Sequence, residues 1–492
     1  MMRTLHNTFW AAVFVVALGA PAARAQQQQA PDQQQQTPDQ GNAPIPAYRS
    51  PLASASGNDD SDAEQSTPDN RSLSGAQDLS PMMLPTRSFW QPQINVYGTV
   101  ESNPSGSPNN STWTAGSTVS GHIDIHRVSG NSDLSLTYTA GGVFLGNGGV
   151  GNGIVQAVAF GDKFSFRRAQ VSFFDDLNYL PGSSFGFGAL GGLAGTPLPG
   201  NGSTGLGSVF GPGQTILTEQ GQNLGNSFVT EVDINLTPRS SVTLVGGYGL
   251  LHDFSSVLLN STNPNFRAGY NHQMTLKDSI AVFYTFSSYR YSNSDQSFDT
   301  HTAQFSYGRL VSGKVAFQIA AGPQFVVARI PLSVSGGSSG TIPSTTTNQL
   351  NWSVNTTLTW TGRRNSLGLG YYRGANNGSG ILAGSIGDTV SASLTRAASR
   401  TFSSGIVGGY SRNQGVSVGT TTISNQSFDS LYGSASLSHP LGRTLGLTLS
   451  YTVQYQVPHF AVCGGTGPAC GTSSITNLIA FGVGWHERPL LF

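Results

Sequence analysis

The residues best placed for chemistry lie on short alternating stretches. His122, Asp124 and His126 alternate with Gly121, Ile123 and Ile125, so an extended strand projects all three from one polar face. Histidines alternating along one face of a strand can ligate zinc. The same triplet also serves as a polar wall facing water, and we adopt the wall, with no metal and no cofactor. Glu231 and Asp233 share the polar face of another stretch. Paired carboxylates can divide acid and base roles in hydrolysis, but acids side by side on a pore wall set a preference for cations, and we favour that role. Arg167 and Arg168 are consecutive, so on one strand they point to opposite faces unless an interface or bulge takes one. With Arg267 they could form a basic strip on the wall.

Cys463 and Cys470 are the only cysteines, separated by Gly-Gly-Thr-Gly-Pro-Ala, a spacing that reads as a disulfide pinning one loop. The sequence holds no phosphate-binding loop and no zinc-protease helix, so enzyme activity is unsupported. No dense basic patch indicates nucleic-acid binding.

The elements that carry these residues are strands. Leu350, Trp352, Val354, Thr356, Leu358 and Trp360 alternate with Asn351, Ser353, Asn355, Thr357 and Thr359. The same period of two recurs along Leu445–Tyr455 and Phe228–Leu236, with one face apolar and the other small and polar. Trp352 and Trp360 stand roughly 26 Å apart along a strand. Tilted near 40°, that is about 20 Å of height, comparable to the apolar band of an outer-membrane barrel.

Short turns, many carrying a base (Arg239, Lys277, Lys314, Arg363, Arg364, Arg443), alternate with longer loops at 253–264, 292–297, 331–347, 374–387, 413–426 and 456–473. Solvation of a turn is reason enough for those bases. Carried to the N-terminus, the alternation predicts eighteen antiparallel strands from 93 to 486; losing 154–161 with a neighbour would give sixteen. Adjacent strands are predicted at 154–161 and 163–175. Pro323, inside a strand, predicts a bulge.

The flanks fit export. Met1–Trp10 carry Arg3 and no acid, Ala11–Leu18 are apolar but too short to span a bilayer, and Ala23-Arg24-Ala25 suits cleavage before Gln26. Residues 1–25 therefore read as a signal peptide. Residues 26–92, rich in Gln, Pro, Asp and Ser, read as a disordered periplasmic tail. Residues 93–492 read as the barrel. Charged residues make up only 10% of the chain, against roughly a quarter in a soluble domain. A lipid-facing surface explains the deficit. The tail holds eight acids and three bases; residues 93–492 hold nineteen bases and sixteen acids, a net of +3 that hints at anion preference.

Read this way, residues 93–492 resemble the bacterial outer-membrane porin class, through pattern and topology rather than a signature string. The resemblance implies an outer-membrane location, contact with outer-membrane lipid, and a water-filled channel for passive diffusion of small hydrophilic solutes. The alternative is a non-conducting surface, adhesion or envelope-organising barrel. Homo-oligomers are common in the class, though no residue here argues for one. The last strand, with Phe481, Trp485 and the terminal Phe492, looks like the signal such proteins present to the barrel assembly machinery. Pro489 departs from that pattern and leaves Phe492 on a short tail. The third external loop, 176–226, is the longest, as in porins where it folds inward; here both an inward fold and an exposed flap stay open.

Overall fold

The computed structural model describes residues 88–102, 113–146, 152–180, 223–254, 260–292, 296–331, 344–376, 384–399, 402–416, 427–442, 444–459, 473–487 and 490–491. All belong to one compact unit, Tyr48–Phe492. The signal-peptide segment, nearly all of the tail, Cys463, Cys470, Phe492 and the centre of loop 176–226 lie outside the described residues.

Eighteen long strands follow one another: β1 (Phe89–Ser102), β2 (Trp113–Ser129), β3 (Ser132–Leu145), β4 (Gly153–Ser165), β5 (Ala169–Leu180) and β6 (Asn223–Thr237). The series goes on with β7 (Ser240–Asp253), β8 (Ser261–Gln273), β9 (Asp278–Tyr291), β10 (Ser297–Ser312), β11 (Val315–Pro331) and β12 (Ser344–Thr361). It ends with β13 (Asn365–Asn376), β14 (Ser385–Ala397), β15 (Ser403–Gly415), β16 (Ser427–Pro440), β17 (Leu445–His459) and β18 (Ser474–His486). Each pairs antiparallel with its neighbours in sequence, and β1 also pairs with β18, from Gln93↔His486 to Ser102↔Asn477. The ring is closed. Leu490 and Leu491 add two residues of pairing against Trp90 and Phe89.

At the seam, Tyr97 lies over Gly482: a Cβ on that glycine would stand 2.0 Å from the ring. Glycine is what lets the ring lie flat against the backbone across the closing pair.

Alternation separates two environments. Outward positions such as Leu350, Trp352, Val282, Phe305, Ile406 and Phe481 are exposed, whereas most inward positions are Ser, Thr, Asn, Gln and Gly, with a few charged and aromatic side chains among them. A closed antiparallel barrel with an apolar outer belt satisfies every backbone group without water and can therefore sit in hydrocarbon. The chain is a transmembrane β-barrel of the outer-membrane type.

The belt has a visible edge. Register aligns outward Tyr371, Val390, Tyr410, Leu431 and Tyr455 in one row. Just beyond it, towards the longer loops, outward charges alternate across neighbouring strands. Arg373 meets Asp388 at 2.8 Å; Arg412 meets Asp429 at 3.9 Å; His459 meets the same Asp429 at 3.0 Å. Tyrosines at the interface with charges beyond them are how a barrel meets headgroups.

The strands differ from expectation in several places. The β4–β5 turn falls at 166–168, so Arg167 and Arg168 are exposed turn residues and form no strip with Arg267. Sequence placed that turn at 162, between the expected strands 154–161 and 163–175. Pro323 makes no bulge: the β10–β11 ladder skips Ala303–Gln304 opposite Gly322–Pro323 and resumes in the same register. A missing N–H interrupts the ladder without adding a residue. Pairing of β1 begins at Phe89, four residues before the predicted start.

Candidate functional site

The lumen is built from the inward faces. On β2 the inward residues include His122, Asp124 and His126. Asp124 is buried and fully engaged: Thr137 donates to its Oδ1 at 2.8 Å, and His122 Nε2 lies 2.8 Å from its Oδ2, where Gln93 also donates at 3.4 Å. The other ring nitrogen of His122 lies 2.7 Å from Thr139 Oγ1. His126 instead pairs with Asp133 across the β2–β3 hairpin, at 2.7 Å, beneath the ring of Phe89. The histidines thus belong to two separate carboxylate pairs. Among the described residues no group of three or more His, Cys, Asp or Glu side chains is arranged to hold a metal ion.

Glu231 and Asp233 point inward from β6, and Asp233 accepts a short hydrogen bond from Thr243. Arg267 points inward from β8, its guanidinium 4.3 Å above the ring of Phe283 and its Nε donating to Thr285 at 3.3 Å. Register sets Lys163, Ser172, Glu231, Val245 and Arg267 in one row, so the acid sits two strands from a base on either side.

Counting inward charges reverses the hint drawn from the net of +3. Among the described residues the inward acids are Glu101, Asp124, Asp133, Glu231 and Asp233, against the bases Lys163 and Arg267. The surplus bases lie elsewhere: Arg239, Lys314 and Arg364 in exposed turns, and Arg290, Arg329, Arg373 and Arg412 on outward positions near the loop rim. The net of +3 hid this division, because it adds inward, outward and turn residues together.

The narrowing of the lumen comes from an element that sequence assigned to a loop. β12 and β13 pair only as far as Val354↔Arg373, although β12 continues to Ser344 and β13 to Asn376. Beyond that point β13 slips inside the wall. Ala375 packs on Tyr289, Tyr291, Phe298, Val326 and Ala328, which face inward from β9, β10 and β11, and its N–H donates to Gln324 Oε1 at 2.9 Å. Val326 and Phe298 are only 1% and 2% exposed beneath it.

β14 and β15 follow β13. Ser385 and Asn376 hydrogen-bond to each other, Asn376 donates to Asn413 at 3.1 Å, and Val416 N–H reaches Gly384 O at 3.3 Å. Gly384 has φ +85°, and a Cβ there would stand 2.4 Å from the Phe298 ring. Only glycine takes both the backbone conformation and the approach. The signal available in sequence was Tyr289, Tyr291 and Phe298: aromatic residues at inward positions of a face otherwise polar.

Two further groups lie on the outer face. Phe481 and Trp485 are outward on β18, in the lipid belt. Outward at the short-turn rim, Ser240 Oγ lies 2.9 Å from His272 Nδ1, and the Tyr270 hydroxyl donates to Ser240 at 3.1 Å. No described hydrogen bond joins that imidazole to a carboxylate, and Ser240 is buried, so the trio closes the β7–β8 edge rather than presenting a nucleophile.

No protein-family model and no curated relative matches the chain. Among solved structures, it is similar to OpdQ of Pseudomonas aeruginosa at 9% identity and TM-score 0.41, covering 82% of this chain and 99% of that one. It is similar to the outer membrane protein opdK of the same organism at 9% identity and TM-score 0.38, covering 81% and 98%. OccAB3 of Acinetobacter baumannii matches at 10% identity and TM-score 0.38, covering 81% and 99%. At such TM-scores the likeness decides nothing; the barrel rests on its own strand register.

Proposed function

We propose that the barrel is a passive channel through which small hydrophilic solutes diffuse across the outer membrane, with a preference for cations over anions. The observation that carries this reading is the inward face itself: eighteen strands around a lining of hydroxyls, amides and glycines. Barrels of this strand number enclose more space than their own side chains fill, and leave an aqueous path. The inward end of β13–β14 narrows the path without supplying a charge, since Ala375, Asn376, Gly384 and Ser385 are all neutral. Selectivity among ions then falls to the β1–β8 wall, where acids outnumber bases.

Passive diffusion through such a lumen needs no nucleotide, metal or cofactor, because the gradient supplies the driving force. The test is full-length protein, folded in detergent and inserted in a planar bilayer between unequal KCl solutions. Discrete current steps with a reversal potential favouring K⁺ support the reading. A bilayer that stays silent with folded barrel inserted overturns it, in favour of a non-conducting surface barrel.

A further inference from the structure

We infer that the lumen selects neutral, multiply hydroxylated solutes, of polyol or sugar chemistry, over charged solutes of the same size. The inference rests on the channel reading above and names its substrate class.

Three observations carry it. The first is a division of the wall. From β9 to β17, no inward position among the described residues is Asp, Glu, Lys, Arg or His. Charge is not missing from those strands: Arg290, Asp299, Arg329, Arg373, Asp388, Arg412 and Asp429 all stand on their outward faces. Half the lumen is therefore lined by neutral groups alone, and every inward acid and base lies on the opposite arc.

The second is how the hydroxyls are arranged. Register places Thr359, Ser393, Ser434 and Thr452 in one row, with Thr361, Ser366, Thr395, Ser436 and Ser450 in the next. Neighbouring strands are about 4.8 Å apart, so each row offers hydroxyls one or two strand spacings from the next. Gly368 and Val407 interrupt the first row and Gly405 the second, and the two glycines let a solute ring come close to the backbone.

The third is a pair of unmet amides. Gln454 and Gln456 point inward from β17 and are each only 4% exposed. Both amide atoms of Gln454, and Nε2 of Gln456, have no hydrogen-bond partner among the described residues. A buried amide left unmet is costly. A hydroxyl can meet both its halves, since it donates and accepts; a simple ion can meet only one.

The same lining explains passage as well as recognition. A polyol trades hydrogen bonds to water for hydrogen bonds to the wall at nearly even exchange, so it is held weakly enough to leave, as conduction requires. A charged solute gives up hydration against an arc that returns no counter-charge.

The test uses the full chain in liposomes and in a planar bilayer, with glucose, glucosamine and gluconate as probes. The expected order of entry is glucose first, then glucosamine, then gluconate, the acidic β1–β8 wall ranking the cation above the anion. Combining Gln454→Leu with Gln456→Leu should slow glucose entry about fivefold, as loss of one net hydrogen bond would, while KCl conductance stays that of the parent. Entry of glucosamine or gluconate as fast as glucose, with normal KCl steps, overturns the solute class and leaves the channel standing. Unchanged glucose entry in the double variant overturns the role of the two amides, and the class then stands or falls on the order of entry. Absence of both current and swelling overturns the channel and the inference together.

Discussion

The backbone N–H of Ala375 donates to Oε1 of Gln324 across 2.9 Å, although Ala375 belongs to β13, Gln324 belongs to β11, and the whole of β12 lies between them in the wall. Two inward side chains can span an intervening strand, as Gln304 and Ser353 do at 2.9 Å across β11. A backbone N–H, however, reaches a side chain two strands away only if its own strand has left the plane of the wall. The end of β13, carrying β14 with it, has moved inward and lies over its neighbours.

That arrangement predicts a constriction that can be loosened. The Phe298 ring stacks on Tyr289 with centroids 4.2 Å apart and holds the inward end through Gly384 and Ala375. Phe298→Ala removes a buried ring, a change worth about 3–5 kcal/mol in a packed core. It should free the β13–β14 end and give larger, noisier single-channel conductance. A disulfide between Ala375→Cys and Ala328→Cys, which share the same cluster, should quieten the current and be reversed by reductant. Parent-like conductance in both would show that this end does not narrow the path.

Ion selectivity should follow the inward charges one at a time. Glu231→Gln with Asp233→Asn removes two of the five described inward acids and should shift the reversal potential towards Cl⁻. Arg267→Gln should shift it the other way. Reversal potentials in unequal KCl read both signs, and movement in the same direction for both would contradict the assignment.

Much of this was legible in the residues. Period-two alternation located the strands, because each face meets one solvent along its whole length, and His122 and Asp124 were recognisable as neighbours because positions two apart share a face. His126–Asp133 was not, since that pair depends on hairpin register. Gly374-Ala375-Asn376 reads as loop composition, and nothing local tells that this end pairs with β14 and docks inside. The hint of anion preference failed for a related reason: net charge adds inward, outward and turn residues together, and only the inward ones act on a solute.

The two faces should respond oppositely to the same substitution. Val282 is outward and 57% exposed near the middle of β9. Val282→Lys should cost about 2–4 kcal/mol in bilayer unfolding, as a lysine at the midplane does. Ser391 is inward on β14, paired with Gly370 and Gly409. Ser391→Lys should leave stability within about 0.5 kcal/mol of the parent and weaken the cation preference. Equal costs at the two sites would mean the faces are not distinct.

The separation of lipid from water across β12 is tested most directly by labelling. In protein whose native cysteines are replaced by serine, single cysteines are placed in turn at Asn355, Thr356, Thr357, Leu358 and Thr359, and reconstituted vesicles are treated with a water-soluble maleimide. Labelling should alternate, fast at 355, 357 and 359 and slow at 356 and 358. Uniform labelling, or fast labelling at 356 and 358 alone, would contradict a water-lined barrel set in hydrocarbon.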